Sequence, residues 1–159
     1  MCIGGQVRGA SSVEGDLYPY IVDSITNVED GAIERVDEKN MTTEVLYTEN
    51  EIGGNMLLWV FDSPVTGWAV AGLGDSYGGE VWELTRFDLT AGTFEAVSSF
   101  QKSEYTWALD CTVDGLVLVG SKDENNPGVL VFDSKNNHKP VFEKPINVGL
   151  LPARLIIVR

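Results

Sequence analysis

Trp59-Val-Phe-Asp-Ser-Pro-Val-Thr-Gly-Trp-Ala-Val-Ala-Gly72 lies over Trp107-Ala-Leu-Asp-Cys-Thr-Val-Asp-Gly-Leu-Val-Leu-Val-Gly120 without a gap. Trp59/Trp107, Asp62/Asp110, Val65/Val113, Gly67/Gly115 and Gly72/Gly120 are identical pairs, each offset by 48 residues. A self-match of this length at a fixed period is the mark of a repeat architecture. On this alignment Asp62 and Asp110 occupy equivalent positions after the first strand of a repeat, as do Asp75 and Asp123 after the second.

A second signature follows and occurs three times. Ile33-Glu-Arg-Val-Asp37, Leu84-Thr-Arg-Phe-Asp88 and Val129-Leu-Val-Phe-Asp133 each end an apolar or alternating run at Asp. A short polar stretch comes next, then apolar residues resume at Val45, Phe94 and Val141. This reads as strand, tight turn, strand. Asp bonds nearby backbone groups in such turns, and Gly92 and Asn136 or Asn137 tolerate positive φ. The Asp positions put the repeat at 45 to 51 residues.

Each repeat offers four strands bounded by Gly, Pro, Asn, Asp or Ser. In the middle repeat they are Met56–Asp62, Gly67–Gly72, Glu80–Asp88 and Thr93–Ser99. In the last they are Tyr105–Cys111, Gly115–Gly120, Gly128–Asp133 and Lys139–Glu143. The first repeat supplies an opening strand near Gln6–Ala10, then Tyr18–Ser24, Ala32–Asp37 and Thr43–Tyr47. No run of ten residues shows apolar period 3.6, so no long helix is predicted. A β-sandwich also has many short strands, but it does not predict a four-strand unit at a fixed period, whereas a β-propeller does. The expected fold is all-β: a β-propeller segment of three four-stranded antiparallel blades at about 6–48, 56–100 and 105–144, with 152–158 an opening strand of a further blade.

The stretches Leu84-Thr-Arg-Phe-Asp-Leu-Thr-Ala-Gly92 and Gly128-Val-Leu-Val-Phe-Asp-Ser-Lys-Asn-Asn137 resemble the third strand and turn of β-propeller repeats of the YVTN/PQQ-like type. The resemblance covers nearly the whole chain, in three copies. It implies a propeller common in bacterial extracytoplasmic proteins and implies little about ligand. The Gly-His and Trp-Asp pairs of WD40 blades and the Asp boxes of sialidase blades are missing.

Closed propellers have about four to eight blades. Three blades and one extra strand do not close, and open blade faces mark association surfaces. The chain is therefore expected to be a fragment or one subunit of a longer propeller, completed by a protein partner, or to pair with a second copy in a six-bladed ring about a two-fold axis. The formal charge of −13, from 24 acidic and 11 basic residues, argues against nucleic acid and anionic lipid as partners.

Cys2 and Cys111 are the two cysteines, with no metal-ligand spacing between them. Cys2 followed by Gly4 and Gly5 resembles the start of a mature bacterial lipoprotein, which makes it a candidate lipid anchor. The expected location is periplasmic, outer-membrane-associated or extracellular. Cys111, at a strand end, reads as a half-buried filler.

His138, the single histidine, sits in a turn and reads as solvent-exposed. Without a partner it does not make a triad, so no catalytic residue is assigned. Five residues are the ligand-binding candidates: Trp82, Arg35, Arg86, Asp62 and Asp110. Asp62 and Asp110 could form a ring of carboxylates at one mouth, suited to Ca²⁺ through oxygen ligands. The structural alternative is that they cap turn donors. No protein-bound cofactor or metal is assigned. Trp82 could face a groove. Arg35 and Arg86 align, and each either binds an anion in the channel or pairs with an acid such as Glu44 or Glu95. Trp59, Trp68 and Trp107 read as packing between blades. The expected function is a non-enzymatic recognition or assembly module. The alternatives are part of a lactonase- or quinoprotein-like propeller enzyme, and a lectin-like oligomeric propeller.

Overall fold

The structure, a computed structural model, describes residues 5–13, 16–23, 32–37, 39–73, 81–101, 105–149 and 152. The opening strand of a further blade expected at 152–158, the Cys2 site and Asp75 lie outside the described residues, apart from the backbone and burial of Pro152. Three antiparallel sheets of four strands follow one another along the chain. The first, blade 1, is β1 (Gly5–Val13), β2 (Asp16–Asp23), β3 (Ala32–Asp37) and β4 (Thr42–Thr48). Blade 2 is β5 (Gly54–Phe61), β6 (Thr66–Leu73), β7 (Val81–Asp88) and β8 (Thr93–Gln101). Blade 3 is β9 (Tyr105–Cys111), β10 (Leu116–Ser121), β11 (Gly128–Asp133) and β12 (Lys139–Pro140). Each sheet runs in simple meander order. The first strands β1, β5 and β9 pack side by side, so the sheets stack like blades around an axis. No ring closes among the described residues.

The three turn aspartates do the same work. Asp37 Oδ1 accepts from the backbone N–H groups of Lys39 and Asn40, both at 2.9 Å. Asp88 Oδ1 accepts from Thr90 (2.8 Å) and Ala91 (3.0 Å), and Asp133 Oδ1 from Lys135 (2.8 Å). In each blade the fourth residue after this Asp takes a left-handed conformation: Met41 (φ 55°), Gly92 (φ 67°) and Asn137 (φ 57°). Gly and Asn are at ease there; Met is not. Met41 is 85% exposed, so its side chain offers little packing in return. Met41→Gly is expected to stabilise the chain by about 0.5–1 kcal/mol, read as a higher urea midpoint. An unchanged or lower midpoint would contradict this reading of the turn.

Two apolar clusters join the blades. Ile33, Met56, Ala69, Ala71 and Phe87 fill the space between blades 1 and 2. Trp68, Val70, Leu84, Val117 and Phe132 fill that between blades 2 and 3. Strand alternation explains the division, since alternate residues of β7 face opposite neighbours. Phe87 points to blade 1, and Trp82 and Leu84 to blade 3.

The 48-residue alignment is not the structural one. Asp62 N bonds Thr66 O at the first turn of blade 2, and Thr112 N bonds Leu116 O at the matching turn of blade 3, an offset of 50. Phe61 pairs with Gly67 in one blade and Cys111 with Val117 in the other, again 50 apart. The hairpin is thus displaced by two residues against the sequence match. A slip of two keeps every side chain on its face, which is why the apolar pattern still reads correctly.

Two further differences from expectation concern blade edges. The last strand of blade 3 is two residues long rather than Lys139–Glu143. Val141 N still reaches Val131 O, but the chain then bulges and returns only at Ile146, which pairs with Val129. Pro140 and Pro145 lack the N–H groups that a continuous ladder needs. Between blades 1 and 2 stands a single helical turn, α1 (Glu49–Ile52). Glu51 supplies the carboxylate half of a capping box, accepting from Thr48 N at 2.8 Å, and it accepts from Thr48 Oγ1 at 2.8 Å as well. The Thr-Glu-Asn-Glu order of residues 48–51 carries that signal in the sequence.

Candidate functional site

The densest polar cluster of the described residues sits where blade 2 meets blade 3. Asp62, in the β5–β6 turn, accepts from three donors. Trp68 Nε1 and Arg86 Nη1 donate to its Oδ2 at 3.0 and 2.7 Å, and Thr66 Oγ1 donates to its Oδ1 at 2.7 Å. Arg86 Nη1 also donates to Gly67 O at 3.0 Å, and its guanidinium lies 5.1 Å from the centre of the Trp68 ring. The register brings these groups together, since Trp68 lies directly opposite Arg86. The Asp62 and Arg86 side chains keep only 16% and 23% of their exposure, so this is a shielded, charge-assisted pair rather than a surface one.

His138 completes the cluster from blade 3. Its ring meets the Trp68 ring edge-on at 5.0 Å, and its Nδ1 is buried without a hydrogen-bond partner. It is half-buried, not the exposed turn residue that its polar neighbours suggested.

The other candidates are scattered. Asp110 lies inside β9 opposite Leu118, and its Oδ1 accepts from Cys111 N at 2.8 Å. The equivalence of Asp62 with Asp110 is therefore corrected: by structural offset the partner of Asp62 is Thr112, whose hydroxyl caps Leu116 N at 3.0 Å. Arg35 bonds Glu44 across the β3–β4 ladder at 2.5 Å, with both side chains largely exposed, a pair worth about 0–1 kcal/mol. Arg86 stands opposite Glu95 but turns to Asp62 on the other side. Trp82 does not face a groove. It is 7% exposed in the core between blades 2 and 3, with its ring against Gly72, where an added Cβ would lie 2.7 Å away. Cys111 is 1% exposed rather than half-buried, and its Sγ donates to Phe61 O at 3.4 Å. Among the described residues no group of three or more His, Cys, Asp or Glu is placed to hold a metal ion.

Electrostatics separates turn carboxyls from one on a blade face. Backbone N–H donors hold Asp37, Glu51 and Asp123 below their ordinary range, from Asn40, Thr48 and Asn125 respectively. These groups favour the fold above the unfolded values and lose that contribution as pH falls through the lower folded ones. Glu83 is the opposite case. It lies on the β7 face toward blade 1 beside Thr85, and Glu83 Oε2 and Thr85 Oγ1 are both buried without partners. Burial raises its carboxyl above the ordinary 4.5. The folded chain holds that proton more tightly than the unfolded chain, so stability falls as pH rises from about 4.5 through the folded value. Glu83→Gln is expected to raise the thermal midpoint at pH 7 and to leave it unchanged at pH 4. A gain of equal size at both pH values would contradict this.

No helix among the described residues is long and apolar enough to cross a membrane. No protein-family model matches the chain, and no curated protein sequence matches it. Among solved structures the chain is similar to a crystal structure of TolB from Acinetobacter baumannii, a β-propeller protein, with a TM-score of 0.55 and 16% identity. The match covers 85% of this chain and 30% of that one, so the chain spans under a third of the length of its structural neighbour. At that identity the likeness speaks to fold alone, and it agrees with the blade order above: the chain has an all-β, propeller-like fold of four-stranded antiparallel sheets.

Proposed function

We propose that this chain is a non-enzymatic propeller module for recognition or assembly, with blades of the YVTN/PQQ-like type. Its work is done by blade faces that take another protein or another copy, outside the cytoplasm. One observation carries the reading: the polar groups best placed to bind a small ligand already serve the fold. Asp62 is occupied by Trp68, Arg86 and Thr66, Arg35 by Glu44, and Trp82 by the core. The extracytoplasmic location rests on the repeat type. Calorimetric titration with Ca²⁺ and with a panel of monosaccharides and short glycans tests the function. The module reading expects no saturable heat from either. Tight Ca²⁺ binding would replace it with the propeller-enzyme reading, and saturable glycan binding with the lectin-like one.

A further inference from the structure

We infer that Asn40, on the turn between β3 and β4, is an acceptor for an N-linked oligosaccharide. The inference rests on the extracytoplasmic reading, since such transfer takes place on the outer side of a membrane. It gives one blade edge a cover.

Asn40-Met41-Thr42 is an Asn-x-Ser/Thr sequence, the acceptor order for this modification. The chain has nine asparagines, and Asn40 alone has a hydroxyl residue two places on. Glu38 stands two places before it, so the stretch also meets the narrower acceptor order of bacterial transferases, which adds an acid there. The fold presents the stretch: Asn40, Met41 and Thr42 are all exposed. Nor does the turn need the Asn40 amide. Asp37 Oδ1 caps the backbone N–H groups, and Asn40 Nδ2 donates separately to Asp37 Oδ2 at 2.7 Å. In blade 2 the residue at the same step from the turn Asp is Ala91, whose backbone N–H bonds Asp88 in the same way with no side-chain amide to add. The Asn40–Asp37 side-chain bond lies at the surface, where water competes for both partners, so an enzyme can take up the amide without dismantling the turn.

The transfer balances with one co-reactant, an oligosaccharide carried on a lipid pyrophosphate. Asn40 Nδ2 bonds to C1 of the reducing-end sugar. The C1–O bond to the pyrophosphate breaks, its electron pair leaves on the phosphate oxygen, and the amide gives one proton to a base of the transferase. The glycan then stands at the head of β4, which ends its sheet and has no strand on its outer side among the described residues. Thr42 to Val45 are exposed along that strand, Val45 at 55%, and Met41 just before it at 85%. Unpaired strand edges invite other chains to pair, and natural proteins cover or charge them. A bulky, hydrated glycan at this end shields the edge together with Met41 and Val45.

Transfer in vitro tests the acceptor without reference to location. The purified, folded chain is incubated with an oligosaccharyl transferase and its lipid pyrophosphate donor, and the product is read by intact mass and peptide fragmentation. The parent is expected to gain the mass of one glycan, on Asn40, and Thr42→Ser to gain it as well. Asn40→Gln and Thr42→Val are expected to gain none. Both should keep the far-UV circular dichroism spectrum of the parent, because both positions are exposed. An unmodified parent, a glycan mapped to another asparagine, or a modified Thr42→Val would overturn the inference and leave the location where it was. The extracytoplasmic reading has its own readout: protease added to spheroplasts digests an extracytoplasmic chain and spares a cytoplasmic one. A spared chain would overturn that reading and, with it, the modification in the cell.

Discussion

Trp68→Ala is expected to destabilise the chain by about 3–5 kcal/mol, the range for truncating a fully buried aromatic side chain. Trp68 is 0% exposed and stands at the centre of the joint between blades 2 and 3. Its removal opens a cavity bordered by Val70, Leu84 and Phe132, and strand backbones do not close such a gap. It also strips polar partners. Asp62 loses the Nε1 donor, Arg86 the ring it lies over, and the His138 ring its edge contact. Asp62→Ala separates these effects. It keeps the ring and orphans the indole N–H and one Arg86 bond, which corresponds to about 1–3 kcal/mol. Chemical denaturation of both variants should rank them in that order. A loss below about 1 kcal/mol for Trp68→Ala would mean that blades 2 and 3 are not packed through this residue.

Gly67→Ala should be a costly single-methyl change through crowding alone. A Cβ there would sit 2.3 Å from Val60 O and 2.4 Å from Phe87 Cζ. Neither neighbour gives way easily: one is backbone within the β5–β6 ladder, the other a ring with 0% exposure. Overpacking of this kind costs about 1–3 kcal/mol and more where backbone must move, so a loss of about 3 kcal/mol or above is expected. Gly115, its identical partner in the sequence match, is there for another reason. Its φ is +91°, and Gly115→Ala is strained by conformation, at about 1–3 kcal/mol. Equilibrium unfolding of the two variants distinguishes crowding from strain: an additional Phe87→Leu change should recover part of the Gly67→Ala loss and none of the Gly115→Ala loss. Equal losses with equal response to Phe87→Leu would contradict the distinction.

That contrast also shows what could be read from the sequence. The apolar alternation and the three Asp-ended strands were enough for blades, because period-2 burial and side-chain-capped turns are local properties. Met41, Gly92 and Asn137 follow from the same turn geometry, although Met hides the pattern. Register is not local. The gap-free match paired Asp62 with Asp110 and Gly67 with Gly115, yet the hydrogen bonds place the hairpins 50 residues apart, not 48. A two-residue slip is invisible to face-counting but moves every turn residue to a new role. Asp62 thereby became the acceptor for Trp68 and Arg86, while Asp110 went into a strand. The contact of His138 with Trp68 joins residues 70 apart and had no mark in either segment. The Arg35–Glu44 bond, nine residues apart in one hairpin, was among the pairings expected.

Three four-stranded blades joined through the apolar clusters around Phe87 and Trp68 form one cooperative unit, and equilibrium unfolding of the unmodified 159-residue chain tests this most directly. Followed by far-UV circular dichroism and by tryptophan fluorescence, the chain is expected to unfold in one transition with the same midpoint by both probes. Two separate transitions would contradict the packing of the blades through these clusters.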